Sequence, residues 1–586
     1  MLASPSASLL EFSCRPLVRS VRASRSLAAL FGTAALLALP LGALPAMAQT
    51  AVVQAAPGQP VTDIAAAVQP AVARAAPDTS AMARTTAFKQ AVAAAAAEDE
   101  AIATFYRETD YRQIFTGSED RARLEALLSA LSTAGDHALP VARYDLNGLM
   151  QTLRDVRSQR DLGRAEVAAA RVFLAYARDV QTGALEPKRV DAGIVREIPR
   201  RDPVALLRAF AEAQPRAYMR SLAPTTPEYA RLLKEKMRLQ RLIAAGGWGE
   251  TVRAGALKPG SDGADVIALR NRLIAMNYLP RTASVAYDAA MQQAVQQFQT
   301  DHGLETDGVA GPSTLEEVNV PASKRLESVV VAMERERWMN FDRGTRHVLV
   351  NIADFSSKIV DDGEVTFRTR SVVGANSSDR RTPEFSDQME HMVINPTWHI
   401  PRSIVTKEYL PQMQRNPNAV SHLNVVDSRG RVVPRGAVNF RAYSARTFPF
   451  QMKQPPSRTN ALGLVKFMFP NKYNIYLHDT PSKSLFARES RAFSHGCVRL
   501  GDPFDFAYAL LARQTDNPKE FFQSKLRSGR ESTVKLDQPV QVHLIYRTAV
   551  AEPKGKMNFR RDVYGRDGRL FDALVAAGVV LSDLES

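Results

Sequence analysis

The first half of the chain places apolar residues at helical spacing. One run falls at i, i+3, i+4 and i+7, which predicts a helix with a single buried face; it consists of Leu124, Leu127, Leu128 and Leu131. The same spacing predicts helices from about Leu162 to Val180 and from Tyr229 to Ala245. Residues 85–250 are therefore predicted to form a helical domain, and we interpret its many arginines as a solvated surface.

Residues 251–320 carry a sharper helical pattern in a compact unit. Two apolar stripes recur at helical spacing, and the turn pairs Asp307-Gly308 and Gly311-Pro312 follow them. The stripes are Val266, Leu269 and Leu273, then Met291, Ala294, Val295 and Phe298. We expect two or three short helices that bury these stripes against each other.

Past about Arg325 the apolar period changes from helical to extended. Alternating or β-branched apolar runs predict short strands around an Asp362-Gly363 turn; they cover residues 347–352, 365–373, 392–394, 464–468, 474–478 and 540–546. Residues 325–552 are therefore predicted to form a β-rich domain, followed by a C-terminal extension at 553–586. Between 401 and 456 the pattern loosens, and we interpret this segment as a cap inserted over a site, with a plain surface excursion as the alternative.

The N-terminus predicts export. Four arginines stand against one acidic residue in the first 26 positions, an apolar stretch follows from Leu27, and Ala46-Met47-Ala48 resembles a cleavage site. We interpret residues 1–48 as a signal peptide, with an uncleaved anchor as the alternative, and the Ala- and Pro-rich residues 49–84 as a flexible linker. No later segment has 18 consecutive apolar residues, so we expect a periplasmic protein with no stable membrane span after cleavage.

Length and composition narrow the function classes. The 586 residues predict several domains, and 45% hydrophobic with 23% charged residues excludes global disorder. Because 76 basic residues face 61 acidic ones, a net charge of +15 favours anionic partners. Nucleic acid is disfavoured, since the chain is predicted to be exported and has no basic stripe interleaved with aromatics.

The chain has two cysteines, Cys14 and Cys497. Removal of the signal peptide takes away Cys14 and leaves one thiol without a partner, in a compartment where cysteines usually pair. Retention of such a thiol favours a chemical role, with a small buried hydrophobe as the alternative.

Cys497 lies in the run Ser494-His495-Gly496-Cys497-Val498-Arg499-Leu500. A thiol is only slightly ionised at neutral pH, so a catalytic cysteine needs a base, and imidazole suits that task. His478, on a neighbouring predicted strand, is a better geometric candidate than His495. The amides around Gly496 and Cys497 could form an oxyanion hole, and Arg499 could hold a substrate carboxylate.

These runs carry a family resemblance. Tyr476-Leu477-His478-Asp479-Thr480, sixteen further residues and then the run around Cys497 resemble the signature of the L,D-transpeptidases of the YkuD-type catalytic fold. Residues 257–314 resemble the peptidoglycan-binding module of cell-wall enzymes. With the helical region, the chain is similar to the large, multidomain YcbB-like subgroup.

The resemblance implies a multidomain α+β protein. A helical scaffold domain at 85–250 and a small helical peptidoglycan-binding domain at 251–320 would precede a β-rich catalytic domain at 325–552 that contains the cap.

The implied reaction is a two-step acyl transfer. The Cys497 thiolate attacks the meso-diaminopimelate carbonyl of a tetrapeptide stem, releases D-alanine and forms a thioester, and an amine acceptor then completes a 3-3 crosslink. His478 would be base and then acid, while Ser494, His495 and Gly496 would shape the site. The implied substrate contacts are Arg499, Trp398, Asn460 and Gly463.

Stem peptides and glycan of peptidoglycan would be the partners, with outer-membrane proteins as alternative acyl acceptors. No cofactor or metal is expected, because the nine histidines include no H-E-x-x-H pair. A papain-like peptidase is disfavoured, since its cysteine precedes its histidine. The alternatives that stay open are a noncatalytic wall-anchoring protein, an L,D-carboxypeptidase and an enzyme that attaches proteins to the wall.

Overall fold

The computed structural model describes residues 81–552 and 556–581. The predicted signal peptide, Cys14 and nearly all of the predicted linker lie outside these residues. The linker prediction is wrong at its end, because the first described helix begins at Ala81, before residue 84.

The helical N-terminal region contains ten helices in the described part of the chain. Most of them pack around one apolar cluster that runs from Phe88 to Leu222 and includes the four leucines predicted to share a face. The helix Pro227–Ala244 contributes instead to a second cluster, with Ala322–Trp338. Acidic and hydroxyl side chains cap several of them; Ser158 Oγ, for example, accepts a hydrogen bond from Asp161 N. The helices are Ala81–Ala95, Glu100–Glu108, Arg121–Ser132, Val141–Tyr144, Leu146–Arg154, Gln159–Thr182, Pro187–Val190, Pro203–Glu212, Pro215–Ser221 and Pro227–Ala244.

The small helical unit that follows has its own core. Both predicted stripes are buried, and they meet in a cluster that runs from Val252 to Val318. Its helices are Ala264–Ala275, Ala289–His302 and Pro312–Asn319. The prediction of a separate compact unit here is confirmed.

The predicted change to extended structure at residue 325 is wrong. A helix, Ala322–Trp338, continues through this position and is buried along most of its length. Its charged residues are buried as ion pairs; Arg337 Nη1 lies 2.6 Å from Glu334 Oε2. Charged residues are normally expected on the solvent-exposed face of a helix. Here they are buried, so the spacing of apolar residues alone does not predict this helix.

The β-rich domain begins at Arg346. Nine strands form one sheet in the order β10-β3-β11-β9-β8-β4-β12-β1-β2, and β2 also pairs with β3, which closes the sheet on itself. These strands are β1 Arg346–Asn351, β2 Ser356–Asp361, β3 Glu364–Gly374, β4 Phe385–Ile394, β8 Val465–Met468, β9 Leu477–His478, β10 Ala492–Ser494, β11 Val498–Leu500 and β12 Ser532–Ile545. Helices Pro503–Leu511 and Pro518–Arg527 add apolar side chains to the core of this domain.

The segment predicted as a cap is a folded unit with its own apolar cluster, from Ile400 to Met452. A three-stranded sheet in the order β5-β7-β6 supports it. Its strands are β5 Trp398–His399, β6 Asn424–Val426 and β7 Gln451–Gln454, and its helices are Arg402–Ile404, a π-helix Val405–Tyr409, Leu410–Arg415 and the 3₁₀ turns Arg435–Ala437 and Phe440–Ala442. A further 3₁₀ turn, Lys483–Ala487, follows β9.

The C-terminal extension packs against the β-rich domain. Strand β14 Met557–Phe559 of the extension pairs with β13 Ala549–Ala551, which precedes the extension, and helix Arg566–Ala576 follows. Arg566 is fully buried, and its Nη1 lies 3.1 Å from Glu384 Oε1. Glu384 also pairs with Arg335 of the buried helix, so one carboxylate joins three parts of the chain.

Loss of the Glu384 charge should destabilise this junction. Glu384→Gln removes the nearest anion of two buried guanidinium groups, which keep only the longer contacts of Arg335 to Asp567 and of Arg566 to Asp191. We expect the free energy of unfolding to fall by about 3 kcal/mol. Urea unfolding followed by circular dichroism measures the change. Glu520→Gln removes an anion from an exposed pair with Arg527 and should change stability by less than about 1 kcal/mol. Equal effects of the two variants would contradict the assignment of Glu384 as the junction.

Candidate active site

Strand register places the chemically active side chains on one face of the sheet. In the parallel pair β9 and β11, Val498 lies opposite Leu477 and Arg499 lies opposite His478. Leu477 and Val498 point into the core, so His478 and Arg499 share the other face. Cys497 directly precedes β11, two residues before Arg499, which places it on the same face as Arg499.

A second cation flanks His478 on its other side. Strand β8 runs antiparallel to β9, with Lys466 opposite His478. His478 therefore lies between Lys466 and Arg499. The sequence did not single out Lys466, because only strand pairing brings it to the site.

Tyr476 is a functional candidate that sequence reasoning missed. Its ring centroid lies 5.6 Å from that of His478, two residues along the same strand. Hydrogen bonds from its backbone and its side chain reach the Cys497 sulfur and lower the pKa of that thiol. The indole of Trp398 bonds to the Tyr476 hydroxyl. The available signal was alternation: a residue two positions before His478 on a strand points to the same face.

The thiol of Cys497 is held as a neutral group. Cys497 is partly buried, and its Sγ donates to the carbonyl of Asn474 at 3.5 Å. Burial raises the pKa of the Cys497 thiol to about 11, although Tyr476 and the positive charge of Arg499 act in the opposite direction. The thiol is therefore protonated at neutral pH in the resting protein.

The imidazole of His478 is neutral as well. Burial, with the nearby charge of Arg499, lowers the pKa of His478 to about 3, against the carbonyls of Asp479 and Leu462. Nδ1 lies 2.5 Å from the Asp479 carbonyl oxygen. Because a carbonyl only accepts, Nδ1 is the donor in this bond, and the Leu462 carbonyl is a second acceptor beside the ring. The register places this ring opposite Arg499, and its action on the Cys497 thiol stays a prediction.

Ser494 and Gly496 shape the loop that carries Cys497. Ser494 Oγ donates to the Cys497 carbonyl at 2.5 Å and accepts from Gly496 N at 3.0 Å. Gly496 has φ +115°, and a Cβ there would lie 3.1 Å from Ile475 Cδ1. The predicted pair of oxyanion donors needs a correction, because the Gly496 amide is already bonded inside the loop. Of that pair, only the Cys497 amide is left for a substrate.

His495 contacts the cap. Its Nε2 lies 2.6 Å from Glu408 Oε1, and Glu408 also accepts from Arg380 Nη2 at 2.7 Å. Glu408 belongs to the π-helix Val405–Tyr409, a rare conformation that often occurs at functional sites. The sequence predicted that His495 shapes the site, and this contact joins the nucleophile's loop to the cap.

Asn460 and Gly463 do not face a ligand, which corrects their assignment as substrate contacts. Asn460 is fully buried, and its Nδ2 donates to the carbonyls of Pro396, Gln454 and Pro455. Gly463 packs against Asp479, where an added Cβ would lie 2.3 Å from the carboxylate. Both residues brace the chain where it returns from the cap to β8.

Arg499 and Trp398 lie close to Cys497 and Tyr476, and their predicted role as substrate contacts stays a prediction. Arg499 Nε is buried and has no hydrogen-bond partner among the described residues. A buried guanidinium with an unused donor suits a carboxylate ligand. Trp398 lies in β5 of the cap and reaches the site through Tyr476.

The described residues contain neither a cluster of metal ligands nor a membrane-spanning helix. No group of three or more His, Cys, Asp or Glu side chains within 81–552 and 556–581 is arranged to hold a metal ion. In the same residues no helix is long and apolar enough to cross a bilayer.

Three segments match known protein families. Residues 345–524 match the YkuD family, the L,D-transpeptidase catalytic domain. Residues 100–235 match the scaffold domain, and residues 262–317 match a family described as a "Putative peptidoglycan binding domain". The predicted resemblance and the predicted mixed α+β architecture are confirmed, with residues 345–524 similar to the L,D-transpeptidase catalytic domain.

One curated relative supports the same family. A "Putative L,D-transpeptidase" of Haemophilus influenzae is 31% identical over 256 residues, which are 43% of this chain. The chain spans about half, 51%, of that relative's length.

Two solved structures show weak likeness. A crystal structure of an L,D-transpeptidase from Xylanimonas cellulosilytica has 17% identity and a TM-score of 0.15, and covers 50% of this chain and 100% of its own. A fused Zn-dependent amidase/peptidase/peptidoglycan-binding protein from Clostridium acetobutylicum has 13% identity, a TM-score of 0.14 and the same coverage. At these scores neither likeness supports an argument.

The raised pKa of Cys497 predicts how the thiol reacts with pH. Only the thiolate reacts with iodoacetamide, so the rate should rise about tenfold per pH unit between pH 7 and 10 and level off near pH 11. An unperturbed thiol levels off near pH 8.5. Alkylation quenched at timed intervals and quantified at Cys497 by mass spectrometry measures this dependence of rate on pH, with a model thiol peptide as reference. A plateau at or below pH 8.5 would show that the thiolate is favoured in the resting state.

The Tyr476 hydroxyl should favour the thiolate. Tyr476→Phe removes one hydrogen bond to a charged sulfur, so we expect the thiol pKa to rise further and alkylation at pH 9 to slow by about tenfold. Tyr473→Phe removes a hydroxyl from the same segment and serves as the control, with an unchanged rate. If both variants alkylate at the wild-type rate, the hydroxyl of Tyr476 has no effect on the sulfur.

Proposed function

We propose that this protein is a peptidoglycan L,D-transpeptidase with Cys497 as its nucleophile, because residues 345–524 match the L,D-transpeptidase catalytic domain. The observation that carries the proposal is the position of Cys497 within the matched segment, on one face of the sheet with His478 and Arg499. The matched peptidoglycan-binding segment supports the wall as the partner.

The first step transfers a stem-peptide acyl group to sulfur. The neutral His478 imidazole takes the thiol proton on its unprotonated nitrogen as Cys497 Sγ attacks the carbonyl carbon of meso-diaminopimelate at position three. The tetrahedral intermediate collapses with cleavage of the C–N bond to D-alanine. His478 returns the proton to the leaving amine, and a thioester is left on Cys497.

The Cys497 thiol and the His478 imidazole are both neutral before this step. Burial opposes a thiolate–imidazolium pair in the resting protein, so proton transfer and attack would occur together when the substrate is bound. The thiol needs no ionisation before the substrate binds, and a neutral imidazole has one unprotonated nitrogen that can accept the proton.

The second step returns the acyl group to nitrogen. The side-chain amine of a second diaminopimelate attacks the thioester, the C–S bond breaks and a 3-3 crosslink forms. The proton lost by the amine passes through His478 to the departing sulfur. Water in place of the amine would give a tripeptide stem, the product of an L,D-carboxypeptidase.

Two cations would recognise the carboxylates of the stem peptide. Arg499 and Lys466 flank His478, and burial leaves the Arg499 Nε without a protein partner. Each stem has several carboxylates, and a carboxylate at Arg499 would satisfy that donor. Trp398 and the cap would cover the bound peptide and limit access of water.

We place the protein in the periplasm. Peptidoglycan-related domains act outside the cytoplasm, and the basic N-terminal run followed by an apolar stretch supports export by a signal peptide. Attachment of outer-membrane proteins to the wall uses the same first step and remains an alternative outcome.

The reaction tests the proposal. Mature protein incubated with purified disaccharide-tetrapeptides should release D-alanine and form dimers, both detected by mass spectrometry. Cys497→Ala should abolish both products because no acyl-enzyme can form. His478→Gln should slow them by about 10²–10⁴-fold. His422→Gln, which changes an exposed histidine of the cap, serves as the matched control.

Each product pattern selects one function. Tripeptide without dimer would identify a carboxypeptidase. Binding of both wild type and Cys497→Ala to sedimented sacculi, without any change in the stem peptides, would contradict catalysis and leave a wall-anchoring protein.

A further inference from the structure

The C-terminal extension reaches the buried side of the catalytic loop. The Tyr564 hydroxyl donates to the Gly374 carbonyl at 2.5 Å and accepts from Thr382 N at 3.2 Å. Arg566 Nη2, two residues further along, donates to the Thr382 carbonyl at 3.1 Å. Tyr564 lies outside the matched catalytic segment, yet it binds two residues of that segment directly.

Thr382 connects Tyr564 to the loop that carries Cys497. Its hydroxyl accepts from Gly374 N at 2.9 Å and donates to the Gly496 carbonyl at 2.7 Å. Thr382 is fully buried, and its backbone N and O and its hydroxyl are all hydrogen-bonded. Gly374 permits this close approach, because a Cβ there would lie 1.9 Å from the Arg380 carbonyl.

The Gly496–Cys497 peptide bond connects the hydrogen bond from Thr382 to the backbone of Cys497. The Gly496 carbonyl and the Cys497 N–H belong to the same planar trans peptide, so they point in opposite directions. A carbonyl fixed on buried Thr382 therefore turns the Cys497 N–H away from that interior.

The Cys497 N–H is also a free donor. Gly496 N and the Cys497 carbonyl are both bonded to Ser494 Oγ. The Cys497 N–H has no hydrogen-bond acceptor among the described residues. It lies on the residue whose sulfur attacks, which is where the oxyanion of a tetrahedral intermediate needs a donor.

We propose that Thr382 and Tyr564 are positioning residues that fix the Gly496–Cys497 peptide, so that the Cys497 N–H stabilises the oxyanion formed during acyl transfer. Neither side chain contacts the substrate. For stem peptides the inference rests on the proposed function; for an activated ester it rests only on attack by the Cys497 thiol at a carbonyl.

Two reactions of the Cys497 thiol distinguish an effect on the position of the Cys497 N–H from an effect on the reactivity of the sulfur. Acylation by p-nitrophenyl acetate passes through an oxyanion, whereas alkylation by iodoacetamide does not. Thr382→Val keeps the side-chain shape and removes the hydroxyl that holds the Gly496 carbonyl. We expect its acylation rate to fall by about 10–100-fold, less than the loss of a whole oxyanion donor, while the alkylation rate changes by less than about twofold.

Three further variants act as controls. Thr382→Ser keeps the hydroxyl and should retain most of the acylation rate. Tyr564→Phe removes the bonds to Gly374 and Thr382 and should reduce acylation in the same sense; it carries the test if Thr382→Val does not fold. Ser357→Ala removes a buried hydroxyl that pairs with Ser371 at 2.8 Å elsewhere in the sheet, and it should change neither rate.

The outcomes distinguish this inference from the proposed function. Wild-type acylation rates in Thr382→Val and Tyr564→Phe, or an equal fall in both reactions, would overturn the positioning role. So would a wild type that is alkylated but never acylated by the ester. A wild type that is acylated by the ester but leaves tetrapeptides unchanged would overturn the proposed function alone.

Discussion

The site depends on a short loop whose backbone is held by three hydrogen bonds inside the protein. Between β10 and β11 the chain turns through Gly496 and presents Cys497 at the start of a strand. Buried backbone groups need partners, and here Ser494 and Thr382 supply them from opposite sides of the turn. With its conformation fixed in this way, the loop loses little freedom when a substrate binds, which is what a preorganised site requires.

Burial shapes the electrostatics as strongly as it shapes the loop. The same low-polarity surroundings raise the pKa of Cys497 and lower that of His478, so the resting pair carries no charge. Oxidants and disulfides attack thiolates far faster than thiols. We infer that a neutral Cys497 can persist unpaired in an oxidising compartment and still react when a substrate carbonyl and the His478 lone pair meet it.

Sequence patterns predicted those helices and motifs that depend on residues close together in the chain. The predicted helix from Leu162 to Val180 lies within Gln159–Thr182, and the motif around Cys497 located the catalytic loop. The helix Ala322–Trp338 escaped prediction because its charged residues pair in the interior. Tyr564 escaped because it meets Thr382 across 182 positions of sequence. The exact domain boundaries stay predictions, because contacts between units produce no periodic spacing of apolar residues in the sequence.

The working catalytic unit extends beyond the matched segment 345–524. Strand β12 begins at Ser532 and pairs with both β1 and β4, so a chain ending at 524 would leave two internal strands with open edges. Tyr564 and Arg566 then support the catalytic loop from the far side of the domain. The proposed catalytic residues are few and close in sequence, but the packing that positions them requires the chain through at least Arg566.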